Sequence, residues 1–80
     1  MPVSDKIKAL LSLKGKKSYE LADYLQMSPQ AMRNKLSRDS FSAADLIKIA
    51  DFLHCDLAFT VSDNQKISLE LSDIANKEDK

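Results

Sequence analysis

Apolar residues recur along this chain with two different periods, and the switch between them divides it into elements. Ile7, Leu10 and Leu11 share one stripe of a helix predicted to begin after Ser4, with Asp5 in its first turn. Gly15, the only glycine, stands where that helix should stop, because it tolerates the left-handed conformation of a helix C-terminus. A second helix is predicted from Ser18, as its cap, burying Leu21, Ala22 and Leu25. The third has the clearest start: Ser28 is a good N-cap, and Pro29 suits the first helical position, where an N–H has no partner anyway. Met27 and Met32 occupy the two positions of a hydrophobic staple, and Leu36 continues the stripe from Met32 at i, i+4. The fourth helix repeats this grammar. Ser42 caps it, Asp45 completes a variant capping box, Phe41 staples to Leu46, and the expected buried face is Leu46, Ile49, Ala50 and Leu53.

Beyond Leu53 the period falls from about 3.6 to 2. Leu57, Phe59 and Val61 alternate with polar positions, as do Ile67, Leu69 and Leu71, around a polar Ser62-Asp63-Asn64-Gln65 stretch, which predicts a β-hairpin. The expected organisation is a compact, mainly α, four-helix domain over residues 1–56, a hairpin over 57–71 and a flexible charged tail over 72–80.

Eighty residues make one domain with a thin core, and 44% hydrophobic with 30% charged residues is the balance of a helix-rich globule. No apolar run is long enough for a membrane span, and the N-terminus lacks the basic-then-apolar order of a signal peptide. Cys55 is the single cysteine and cannot form an internal disulfide, which fits a reducing cytoplasm. The net charge of zero hides a split. Residues 1–38 carry eight basic side chains against three acidic ones, a balance of +5, whereas residues 39–80 carry four against nine, a balance of −5. Such asymmetry points to one part of the molecule meeting a polyanion.

The segment Ser18–Arg38 gives that charge a use. Two short helices joined by a tight turn cross closely only where a small residue sits between them, and Ala22 occupies that place, flanked by Leu21 and Leu25. Met27 and Met32 plug the corner, and Ala31, Met32 and Leu36 hold the third helix to the body. The opposite face of that helix shows Gln30, Arg33, Asn34 and Ser37. An Asn or Gln amide can make two hydrogen bonds to adenine, and an Arg guanidinium two to guanine.

In Leu21-Ala22, Leu25, Met27-Ser28 and Met32, within residues 4–55, the chain resembles the lambda-repressor-like family, the helix-turn-helix of phage repressors, Cro proteins and XRE-type bacterial regulators. The resemblance implies that the third helix, 29–37, enters the major groove of double-stranded DNA. Gln30 and Asn34 then become base-reading positions together with Arg33, with Ser28 and Pro29 close to the groove wall. Ser18 stands where the family often has a Gln that binds a phosphate, and the 39–43 loop, with Ser42, supplies backbone N–H groups to the DNA backbone. Lys17, Lys35 and Arg38 cluster around the motif as phosphate contacts. Three departures are visible. Gln26 fills the turn position usually held by glycine and must take a positive φ or reshape the turn, Leu36 lies one place after the usual apolar residue, and Pro29 replaces a frequent base reader.

Other chemistry finds little support. His54 and Cys55 are too few for a metal site, Tyr19 and Tyr24 suit packing better than base stacking, and neither a phosphate loop nor a nucleophile–base set is present. A chain this small is also expected to lack room for a pocket of ~300 Å³ or more. No enzyme activity, cofactor, metal or small-molecule ligand is expected. The expected function is a transcriptional repressor, a homodimer on a palindromic operator. The alternative on the same fold is a protein-interaction module such as an antitoxin or anti-repressor. The apolar hairpin set, Leu57, Phe59, Val61, Ile67 and Leu69, would dimerise by meeting a symmetry mate's hairpin, or else fold back on the first and fourth helices.

Overall fold

A computed structural model describes residues 2–74 of the chain. Four helices are followed by a hairpin and one short turn of 3₁₀ helix: α1 (Val3–Leu13), α2 (Ser18–Tyr24), α3 (Pro29–Arg38), α4 (Ala43–Phe52), β1 (Leu57–Ser62), β2 (Gln65–Leu69) and the turn Leu71–Asp73. The core lies among the four helices, where Ile7, Leu11, Leu21, Ala22, Met32, Ile49 and Leu53 are buried together. Met27, Leu36, Phe41 and Leu46 close over it from the ends of α3 and α4.

All four helices stop in the same way. The residues just past their last turns, Gly15, Gln26, Asp39 and His54, have φ of 67°, 60°, 57° and 56°. At each stop the next N–H reaches back to a carbonyl of the last turn: Lys16 to Leu11, Met27 to Ala22, Ser40 to Lys35 and Cys55 to Ala50. This is the Schellman pattern, which satisfies carbonyls that would otherwise lack a partner. Only one of the four uses glycine, so three side chains are held in a conformation that costs an L-residue ~1–2 kcal/mol, least for Asp.

The starts of α3 and α4 follow the local sequence. Ser28 Oγ accepts from Ala31 N at 3.1 Å with Pro29 behind it, and Ser42 and Asp45 exchange bonds of 3.0 Å in a capping box. The first two helices start differently from expectation. α1 begins at Val3, so Ser4 is a buried residue inside its first turn and not the residue before it. α2 has Lys17 and not Ser18 as its cap position, because Glu20 reaches back to accept from Lys17 N at 2.7 Å. Ser18 is its first helical residue.

The hairpin pairs Leu57 with Leu69, Phe59 with Ile67 and Ser62 with Gln65 across a two-residue turn, Asp63-Asn64. Neither turn residue has positive φ, so the mirror-image turn that matches strand twist is absent here. The extra residue Val61, a bulge in β1, takes up the mismatch. Leu71 does not extend β2, since the chain turns into the 3₁₀ segment there. Ser72 and Asp73 of the expected tail belong to that turn, and residues 75–80 lie outside the described residues. The buried face of α4 is wider than its stripe: Ile47 is buried as well as Ile49 and Leu53, while Leu46 and Ala50 are half-buried. Ile47 faces the hairpin side, where it lines a cleft of about 400 Å³ with Ala50, Leu57, Leu69 and Leu71. A second groove of about 560 Å³ runs past Tyr19, Tyr24, Met27, Pro29 and Phe52. Both exceed the room expected of so short a chain, because the hairpin and the α2–α3 corner each stand off the helical body.

Candidate nucleic-acid interface

The corner between α2 and α3 is set by the buried pair Leu21 and Ala22 on one helix and Met32 on the other. With Met32 inward, α3 turns Gln30, Arg33 and Asn34 to solvent, and all three are exposed. The structure joins them in a relay. Arg33 Nη2 donates to Gln30 Oε1 at 2.6 Å, and Gln30 Nε2 donates to Asn34 Oδ1 at 3.3 Å. Three polar side chains one turn apart on a free helix face form a single hydrogen-bonded surface, the arrangement needed to meet the edges of stacked bases.

The backbone candidates divide into two groups. Lys17, Ser18, Ser28 and Arg38 are exposed at the ends of α2 and α3. The first-turn N–H groups of α2 and α4 have no partner within their own helices, and helix N-termini attract anions. Lys35 is different. Its Nζ lies 2.9 Å from Asp45 Oδ2, donates to Ser40 O at 3.1 Å, and sits 5.9 Å from the centre of the Phe41 ring. Two of its three donors thus hold the α3–α4 loop closed. Ser42 is also occupied, its N–H and Oγ both committed to Asp45. Desolvation would raise the Asp45 pKa, but the hydrogen bonds from Lys35 and Ser42 and the Lys35 charge outweigh it and lower it.

Two further contacts brace the interface and carry no local sequence signal. Asp39, beyond α3, accepts hydrogen bonds from the N-terminal turn of α1, and its pKa is lowered by the Ser4 hydroxyl and backbone N–H. Tyr24 O–H, at the end of α2, donates to Asp51 Oδ2 at 2.6 Å, and its ring lies 5.1 Å from that of Phe52. The bond to Asp51 holds the Tyr24 proton and raises its pKa. Among the described residues, no group of three or more His, Cys, Asp or Glu side chains is placed to hold a metal ion. No helix there is long and apolar enough to cross a membrane.

A steep two-helix corner, a helix with a free polar face and cations at its ends define a helix-turn-helix domain. A family model for the bacteriophage CI repressor helix-turn-helix domain matches residues 5–67, and the chain belongs to that family. Membership makes it a DNA-binding domain of the transcription-regulator type, within the wider lambda-repressor-like group. No curated protein and no solved structure matched the chain.

Proposed function

We propose that this protein is a sequence-specific repressor that binds double-stranded DNA as a homodimer on a palindromic operator. The observation that carries this reading is the exposed Arg33–Gln30–Asn34 relay on α3. Lys17, Ser18, Ser28 and Arg38 would grip phosphates on either side of it, and the loop shaped by Lys35, Ser42 and Asp45 would present backbone N–H groups to the next phosphate. No catalytic role and no cofactor enter this reading, and its place of action is the cytoplasm.

The dimer rests on the hairpin. Phe59, Val61 and Ile67 are 66%, 58% and 60% exposed, whereas the paired Leu57 and Leu69 at the root are half-buried beside α4. An apolar strand face that continues outward from a packed root is matched by a second copy of itself. One helix reads only a few base pairs, so two copies with recognition helices ~34 Å apart supply the specificity that a repressor needs.

Selection of bound sequences from a random DNA pool, followed by salt titration, tests the reading. A palindromic consensus is expected, with affinity falling by roughly 10³-fold between 50 and 200 mM salt if about six phosphates are neutralised. Arg38→Ala should weaken all sequences alike, while Gln30→Ala and Asn34→Ala should cost ~1–3 kcal/mol on the selected site and little elsewhere. A flat salt response without enrichment would instead favour a module that uses its hairpin to bind another protein.

A further inference from the structure

We propose that the Arg33–Gln30–Asn34 relay makes α3 a reader of guanine in preference to adenine, an inference that rests on the DNA-binding reading above. Its starting point is the direction of two hydrogen bonds. A guanidinium has five donors and no acceptor, so the Gln30 atom 2.6 Å from Arg33 Nη2 must be the amide oxygen. The amide is planar, and its nitrogen is therefore turned the other way, toward Asn34. There it donates at 3.3 Å, so the Asn34 atom that receives it is Oδ1. Arg33 thereby sets the orientation of both amides.

The consequence is a surface of one polarity. Both amide oxygens point into the relay. The groups left to face an outside partner are the second Gln30 Nε2 hydrogen, the two hydrogens of Asn34 Nδ2 and the remaining guanidinium N–H groups. Bidentate recognition of adenine needs an acceptor for its N6 amino group beside a donor for N7. Here the acceptor half of each amide is turned away. The major-groove edge of guanine presents N7 and O6, two acceptors and no donor, and matches a donor-only surface. The guanidinium also keeps its charge for this purpose: among the described residues the ion pairs are Lys35–Asp45 and Lys66–Asp56, and α3 has no acidic residue in its first turn.

The test is a selection experiment on the full chain and on Arg33→Met, an exposed substitution whose fold is checked by circular dichroism. The wild type should select guanine at the positions under α3, and 7-deazaguanine there should weaken binding about tenfold, the loss of one good base contact. Arg33→Met frees the Gln30 amide to turn, and adenine should replace guanine at the same position. Wild-type selection of adenine, or an Arg33→Met protein that keeps the guanine preference, would overturn the relay while leaving sequence-specific binding intact. A wild type without any base preference would overturn both.

Discussion

Ser4 and Asp39 cap one another's helices across 35 positions of sequence. The Asp39 carboxylate accepts from Ser4 N at 2.6 Å, from Val3 N at 3.3 Å and from Ser4 Oγ at 2.8 Å, so it serves the unpaired donors of the first turn of α1. The Ser4 hydroxyl shares its one hydrogen between that carboxylate and the Leu36 carbonyl, 2.6 Å away in the last turn of α3. The start of the first helix and the end of the recognition helix are therefore one hydrogen-bonded unit.

Ser4→Ala should remove the shared hydrogen and leave the Leu36 carbonyl unserved in a part-buried site. The expected loss is about 1–2 kcal/mol, seen as a fall in Tm of ~4–8 °C per kcal/mol for a domain this size. A thermal melt followed by helix ellipticity measures it, and an unchanged Tm would show that the latch contributes nothing.

Acid should act through the same carboxylate and through Asp45. Both have folded pKa values lowered below the ordinary 3.8, Asp39 through the Ser4 hydrogen bonds and Asp45 because the bonds to Lys35 and Ser42 outweigh desolvation. A depressed carboxylate contributes stability that is fully present above its unfolded pKa and disappears as pH falls through its folded one. Tm should thus stay flat from neutrality down to about pH 5 and drop below about pH 4. The double variant Asp39→Asn, Asp45→Asn should start lower and lose less in that window; an equally steep acid limb in this variant would assign the loss to other groups.

Glycine substitutions at the helix stops should differ in sign. Gln26→Gly and His54→Gly relieve a side chain held at φ of 60° and 56°, and each should raise stability by up to about 1 kcal/mol. Asp39→Gly relieves a similar φ of 57° but releases α1, and its Tm should fall. Three melts under one buffer condition decide the matter, and a gain at all three positions would deny the latch.

Phe59→Asp places a charge in the middle of the exposed hairpin face, opposite Ile67. Helix content should be unchanged, since Phe59 lies outside the core, while sedimentation should report a monomer and operator affinity should collapse. A wild-type chain that sediments as a monomer at tens of micromolar would exclude the hairpin dimer.

Much of the fold was legible because its signals are local. Ser28-Pro29 and Ser42 with Asp45 carry their caps within three residues, and Gly15 and Gln26 stand at helix stops whose positions the stripes define. What escaped was non-local. α1 starts two residues before the expected place because its cap comes from Asp39, and Ile47 is buried only because the chain returns over α4 as a hairpin. At the interface, residue type and spacing brought Gln30, Arg33 and Asn34 to one face. The direction of their hydrogen bonds, and the capture of Lys35 by Asp45, depend on rotamers and on a neighbouring helix that no stripe encodes.

The hairpin touches the helical body at its root, and beneath that root lies a cleft of about 400 Å³. Mechanically this is a beam clamped at one end over a compliant bed. In the proposed dimer two such beams join at their free ends, so the separation of the two reading heads is governed by the stiffness of the α4–β1 joint. A rotation of a few degrees at Asp56 and Leu57 is magnified along the length of the lever before it reaches DNA. Filling the cleft with a larger side chain at Ala50 would stiffen that joint, and the tolerance of the dimer for operators of unequal half-site spacing would narrow.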